Sequence, residues 1–129
     1  MRHTPPEFLP ISPEMRERLE KFREEHDGEP IGNVANHVLY EDEKVRIWEM
    51  KLAPGEHSDL HHHADDYYLV IFSGDLVAGV PPKGNPVEPF LARVPPGGNT
   101  VSIPAGGTEW AVNVGSKTYH EILIELKRP

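Results

Sequence analysis

Pro54-Gly55-Glu56-His57-Ser58-Asp59-Leu60-His61-His62-His63-Ala64-Asp65-Asp66-Tyr67-Tyr68-Leu69-Val70-Ile71-Phe72-Ser73-Gly74 is the stretch on which the reading of this chain turns. It opens on a Pro-Gly turn and holds four of the eight histidines, at 57, 61, 62 and 63. It closes with the apolar run Tyr67–Phe72 before a Ser-Gly turn. Side chains two apart in an extended segment share a face. His61 and His63 therefore point one way and His62 the other. Two neutral imidazoles on one face suit Zn, Fe, Ni or Cu. Alone, such a pair is more often a hydrated turn than a metal site, and its surroundings must decide. His57 and His62 read as solvated or supporting groups.

Outward from this stretch, the period is that of strands. Val34–Tyr40, Val45–Leu52, Leu76–Val80, Phe90–Val94, Thr100–Ile103, Glu109–Val114 and Tyr119–Lys127 join Tyr67–Phe72 as expected strands, separated by Gly- and Pro-rich turns. Short strands at this spacing without interleaved helices indicate a sandwich or closed barrel. Tyr67–Phe72 and Ile122-Leu123-Ile124 are apolar on both faces, so both faces call for cover. One side is the interior; the other requires the N-terminal helix or a second subunit, and a homodimer is the expectation. That helix starts at Ser12-Pro13, with Ser as N-cap and Pro at the first helical position. Met15, Leu19 and Phe22 form its apolar stripe, and Gly28 is its expected stop. Residues 1–30 form a Pro-rich arm and helix, and 31–129 the β domain.

The chain has 129 residues, 13 Lys plus Arg against 21 Asp plus Glu, a net charge of −8, and no Cys. That length suits one domain. The acidic balance argues against nucleic acid as a partner, and zero Cys excludes disulfides, thiolate metal sites and cysteine nucleophiles. The apolar run at 67–72 is far short of a membrane span of about 20 residues, and no signal peptide is visible. The expectation is a cytoplasmic protein acting on a small molecule, without membrane or nucleic acid.

Gly55, five residues, His61-x-His63, three residues, Tyr67, six residues, Gly74 resembles the first motif of the cupin superfamily, G-x5-H-x-H-x3–4-E-x6-G. Gly98, five residues, Pro104-x-Gly106, two residues, Glu109, three residues, Asn113 resembles its second motif, G-x5-P-x-G-x2-H-x3-N. The resemblance spans about residues 34–127. It implies an all-β single cupin, a jelly-roll β-barrel with an N-terminal α-helix, holding a metal in the barrel mouth. Two positions depart from the pattern: Tyr67 replaces the motif's Glu, and Glu109 its second His. Carried over residue by residue, the metal-facing set becomes His61, His63, Tyr67 and Glu109, with Glu109 and Tyr67 the catalytic candidates.

Two His and one carboxylate match the facial set of non-haem Fe(II) oxygenases and some Zn hydrolase sites. Fe2+ is therefore favoured, with Zn2+, Mn2+ or Ni2+ as alternatives. Glu109 alternates with Ala111 and Asn113, and a carboxylate in such an interior calls for a counter-charge. Tyr67 is read as a phenolate ligand, a partner for bound water, or a packing residue. Asp66 is a spare ligand and Asp65 faces solvent. Trp48, Met50 and Leu52 read as core. Arg93 is a candidate anchor for a substrate carboxylate or a plain surface charge, and loop 81–89 a candidate lid. The expected function is dioxygenase-like chemistry on a keto acid, hydroxy acid or diketone. A non-catalytic ligand-binding cupin and a metal-free cupin of the sugar-isomerase type are the alternatives.

Overall fold

A computed structural model describes residues 1–129. In chain order its elements are β1 (Glu7–Leu9), α1 (Pro13–Glu25), β2 (His37–Glu41), β3 (Val45–Leu52), β4 (His61–His62), β5 (Tyr67–Ser73), β6 (Leu76–Val80), β7 (Phe90–Arg93), β8 (Asn99–Ile103), β9 (Thr108–Asn113) and β10 (Tyr119–Leu126). They form two five-stranded antiparallel sheets, ordered β1-β7-β6-β9-β4 and β2-β3-β10-β5-β8. The all-β expectation holds, although the hydrogen-bond ladders leave two sheets and do not close into one continuous barrel.

The strand ends fall within a few residues of those expected, except that β2 starts at His37 because Val34 and Ala35 turn into the core. Two strands were not expected. β1 arises in the Pro-rich arm, where Glu7, Phe8 and Leu9 pair with Arg93, Ala92 and Leu91. Upstream, the side-chain carbonyl of Asn99 accepts from the Thr4 N–H at 3.1 Å, and the Asn99 amide donates to the Thr4 carbonyl. The arm therefore runs from the β8 edge of one sheet to the β7 edge of the other. β4 is only two residues long and sits among polar side chains, so no apolar period announces it.

α1 begins as expected: the Ser12 hydroxyl accepts the Met15 N–H at 3.1 Å, and Pro13 occupies the first turn, where its missing N–H costs nothing. Leu19 is 1% exposed. It joins Trp110, Val112, Val114 and Val80, with Met15 and Phe22 packed against the same cluster. This settles where the helix lies. Alternation along β9 turns Trp110 and Val112 away from the interior, and α1 covers them. It does not cover β5, whose outward side chains Tyr68 and Phe72 remain 40% and 47% exposed. A second apolar cluster, including Trp48, Met50, Leu52, Tyr67 and Leu123, lies on the inner face of the other sheet. No helix is long and apolar enough to cross a membrane.

Truncating Leu19→Ala opens a cavity beneath α1 and is expected to cost about 2–5 kcal/mol. Denaturant unfolding of the variant reads this directly; a loss below about 1 kcal/mol would show that α1 is not seated on the sheet.

Candidate metal centre

β4 and β9 are antiparallel neighbours in a register that sets His61 directly opposite Glu109 and His62 opposite Thr108. Directly opposed side chains on one face of such a pair stand about 5 Å apart at Cβ. Backbone bonding continues past the end of β4: the His63 N–H donates to the Gly107 carbonyl at 2.9 Å, and the Gly106 N–H to the His63 carbonyl at 2.8 Å. His63 is thereby held on the same face as His61. A ligand atom from each of His61, His63 and Glu109 lies within 4.8 Å of the others.

The electrostatics favour a cation. His61 and His63 are each 3% exposed. Burial lowers the pKa of His61, and burial with the neighbouring charges of His61 and His62 takes His63 down to about 3. Both rings are neutral at pH 7, the form that ligates metal. The His61 Nδ1–H donates to the Asp59 carbonyl at 2.9 Å, so the Nε2 lone pair points the other way. His63 keeps its Nδ1 buried without a hydrogen-bond partner, and its ring stacks on Tyr67 at 3.9 Å and 14°. Burial alone pushes Glu109 up to about 7, with no cation or hydrogen bond of the protein offsetting it. Neutral imidazoles, an orphaned ring nitrogen and an uncompensated carboxylate fit a divalent ion.

Gly79 makes room for this arrangement. A Cβ there would stand 2.6 Å from Glu109 Oε2 and 2.1 Å from the Phe90 ring. A glycine within a strand commonly marks such a close approach.

These residues open on a cavity of about 680 Å³ between the sheets. The other sheet supplies Tyr67, Tyr119 and Glu121 to the lining. Burial, then the charges of Glu109 and Glu121, drive Tyr67 well above the ordinary phenol range, so without a cation it is a neutral phenol. Glu121 was absent from the sequence-based candidates. Its signal was available: in Tyr119-His120-Glu121-Ile122-Leu123, alternation puts Glu121 inward with Tyr119 and Leu123. Glu121 is 3% exposed. Burial raises it to about 7, the Tyr119 hydrogen bond opposes that shift, and the charge of Glu109 adds to it.

The remaining candidates fall away from the cluster. Asp66 Oδ1 accepts the Ala105 N–H at 2.9 Å, which holds the turn after Pro104, and Asp65 faces Arg128 at 3.7 Å. Asp66 is thus a turn brace, not a spare ligand. His62 Nδ1 meets the Thr108 hydroxyl at 2.7 Å outside the cavity, and His57 packs edge-on against Phe22. Trp48 and Leu52 are core, as is Met50, which also reaches the cavity. Arg93 pairs with Glu7 at 3.2 Å, so its charge is already met. In loop 81–89, Pro81, Asn85, Pro86 and Val87 line the cavity, and Lys83 is tied to Glu24 of α1.

No protein-family model matches the sequence, and no curated protein matches it. Solved structures do match. A cupin domain from Bordetella pertussis Tohama I is 20% identical over 78% of this chain and 100% of its own, at a TM-score of 0.64. A cupin superfamily protein from Desulfitobacterium hafniense DCB-2 is 20% identical over 76% and 84%, at 0.52. An RmlC-like cupin family protein with a double-stranded β-helix fold, from Methanocaldococcus jannaschii, is 18% identical over 76% and 87%, at 0.51. This chain has the cupin fold.

Glu109 gives the site a pH signature. Its folded pKa of about 7 exceeds the ordinary value of 4.5. Without metal, the folded state keeps a proton that the unfolded chain releases across this window. That contribution to stability is full below about pH 4.5 and is lost as pH rises to about 7. Glu109→Gln has no such loss. Its stability relative to the unsubstituted protein is expected to grow by about 2 kcal/mol between about pH 5 and 7, then level off. Denaturant titrations of metal-free protein across that range test this; a pH-independent difference refutes it.

Proposed function

We propose that this cupin-fold chain is a metal-dependent enzyme acting on a small oxygenated molecule, with His61, His63 and Glu109 holding one divalent cation. The observation that supports it most is the convergence of those three ligand atoms within 4.8 Å, the carboxylate lacking any partner from the protein. When bound on two neutral imidazoles and one carboxylate, such a cation polarises a carbonyl oxygen and supports activation of O2 or water, the dioxygenase-like chemistry favoured here with Fe2+.

The chain's own residues prepare the rest. The Asp59 carbonyl fixes the tautomer of His61. Tyr67 sets the plane of His63 by stacking on it, and its phenol O–H is available to hydrogen-bond an oxygen of the substrate. Leu69, Ile71, Val101 and Leu123 give the cavity apolar walls, which exclude water and strengthen each polar contact inside. The 680 Å³ space suits a small organic molecule. Keto and hydroxy compounds and diketones have paired oxygens able to chelate a cation with open positions.

Elemental analysis of protein purified without a His tag is expected to find one divalent ion per chain. Glu109→Ala is expected to weaken that binding by at least about 100-fold, as measured by metal titration. Affinity is expected to rise with pH until Glu109 has lost its proton, at about 7. Full metal retention by Glu109→Ala would overturn the ligand set. Oxygen uptake and product formation, tested with Fe(II), Mn(II), Ni(II) and Zn(II) against a panel of diketones, hydroxyketones and keto acids, decide the enzymatic reading. No turnover with any pairing refutes it.

A further inference from the structure

Glu121 stands on the cavity wall opposite the His61–Glu109 strand pair, on a different sheet. Its Oε1 accepts the Tyr119 hydroxyl at 2.7 Å, while its Oε2 is buried with no hydrogen-bond partner. The flanking positions across the ladders are Met50 and Ile71, which offer no donor. A buried carboxylate oxygen left without a partner is costly and calls for an explanation. Tyr119 is itself 2% exposed and its hydroxyl is committed, so it clamps Glu121. The only cationic side chain on the lining is Arg93, already paired with Glu7. One wall thus presents two imidazoles and Glu109, the other a clamped carboxylate, with apolar side chains between them.

We propose that Glu121, held by Tyr119, is the specificity-determining residue of this cavity: it accepts a hydrogen bond from a hydroxyl group on a neutral ligand with an apolar body, and it turns carboxylates away. Glu121 is acceptor-only when ionised. A hydroxyl supplies the donor Oε2 lacks, whereas a carboxylate would meet it as a like charge in a poorly screened space. A divalent cation on the facing wall would balance Glu109 and Glu121, leaving no surplus positive charge to draw an acid. This deepens the proposed function and rests on its placement of substrate in the cavity. It narrows the substrate class from keto and hydroxy acids to neutral hydroxyl-bearing compounds such as hydroxyketones and enolised diketones.

The test compares two probes of one shape, 3-phenylpropan-1-ol and 3-phenylpropanoate, on the full chain at about pH 8, where Glu121 is ionised. Dissociation constants are measured by ligand-observed NMR on metal-free and Zn(II)-loaded protein. The unsubstituted protein is expected to favour the alcohol by about tenfold or more. Glu121→Gln removes the charge and adds an amide donor, and is expected to cut that preference at least fivefold in the metal-free protein. Tyr119→Phe removes the one hydrogen bond that opposes the effect of burial, so Glu121 holds its proton to higher pH; the preference for the alcohol is expected to be weaker than in the unsubstituted protein at about pH 8 and to recover as pH rises, so the proposal stays testable if Glu121→Gln does not fold. An alcohol-to-acid ratio unaltered in Glu121→Gln, a ratio in Tyr119→Phe that does not rise with pH, or binding of neither probe by the unsubstituted protein would overturn the proposal. Failure of the metal reading shows separately, as absence of metal uptake by the unsubstituted protein, because the probe ratio in the metal-free state does not depend on it.

Discussion

The candidate metal centre depends on the register between β4 and β9. Two residues of β4 suffice to set His61 across from Glu109, 48 positions on in the chain. Because side chains alternate with period two, a slip by one residue would send Glu109 to the outer face and bring Trp110 inward. The slip is opposed from outside as much as from inside. Trp110 and Val112 are already buried beneath Leu19 and Phe22 of α1. The helix, though distant from the cavity, therefore helps to keep the carboxylate facing the imidazoles.

The site is expensive without a cation. Two carboxylates and two imidazoles share a buried interior, where burial pushes the acids up to about 7 and keeps the imidazoles neutral. That cost is borne by two apolar clusters, one lining the inner face of the five-stranded sheet that bears β5 and β10, the other joining α1 to the opposite sheet. The cavity is bipolar as a result. The candidate metal ligands His61, His63 and Glu109 lie on one sheet and Glu121 on the other, with apolar side chains among the lining.

Much of the fold was legible before any coordinates. Ser12-Pro13 and the Met15–Leu19–Phe22 stripe marked the helix, and alternating or wholly apolar runs between Gly- and Pro-rich turns marked eight strands, because local propensity and burial agree there. β1 and β4 were not legible. Both are short, β1 being three residues between the prolines of the N-terminal arm and β4 two histidines, and each exists because a longer strand offers it an edge. The helix's destination was equally hidden. Its stripe shows that it must lie on something, but choosing between the outer faces of two sheets depends on which is more apolar once both are assembled.

His61, His63 and Glu109 were recognisable in the sequence because the two glycine-framed motifs place them, and alternation along Glu109–Val114 already turned the carboxylate inward. Glu121 was overlooked although Tyr119, Glu121 and Leu123 obey the same alternation, since a lone acid in an apolar strand resembles an outward-facing residue until the opposite wall is known. Spacing along the chain specifies which side chains share a face of one strand. It does not specify which faces meet across a cavity. That pairing, and with it the unpartnered oxygen of Glu121 and the stacking of Tyr67 on His63, came only from packing one sheet against the other.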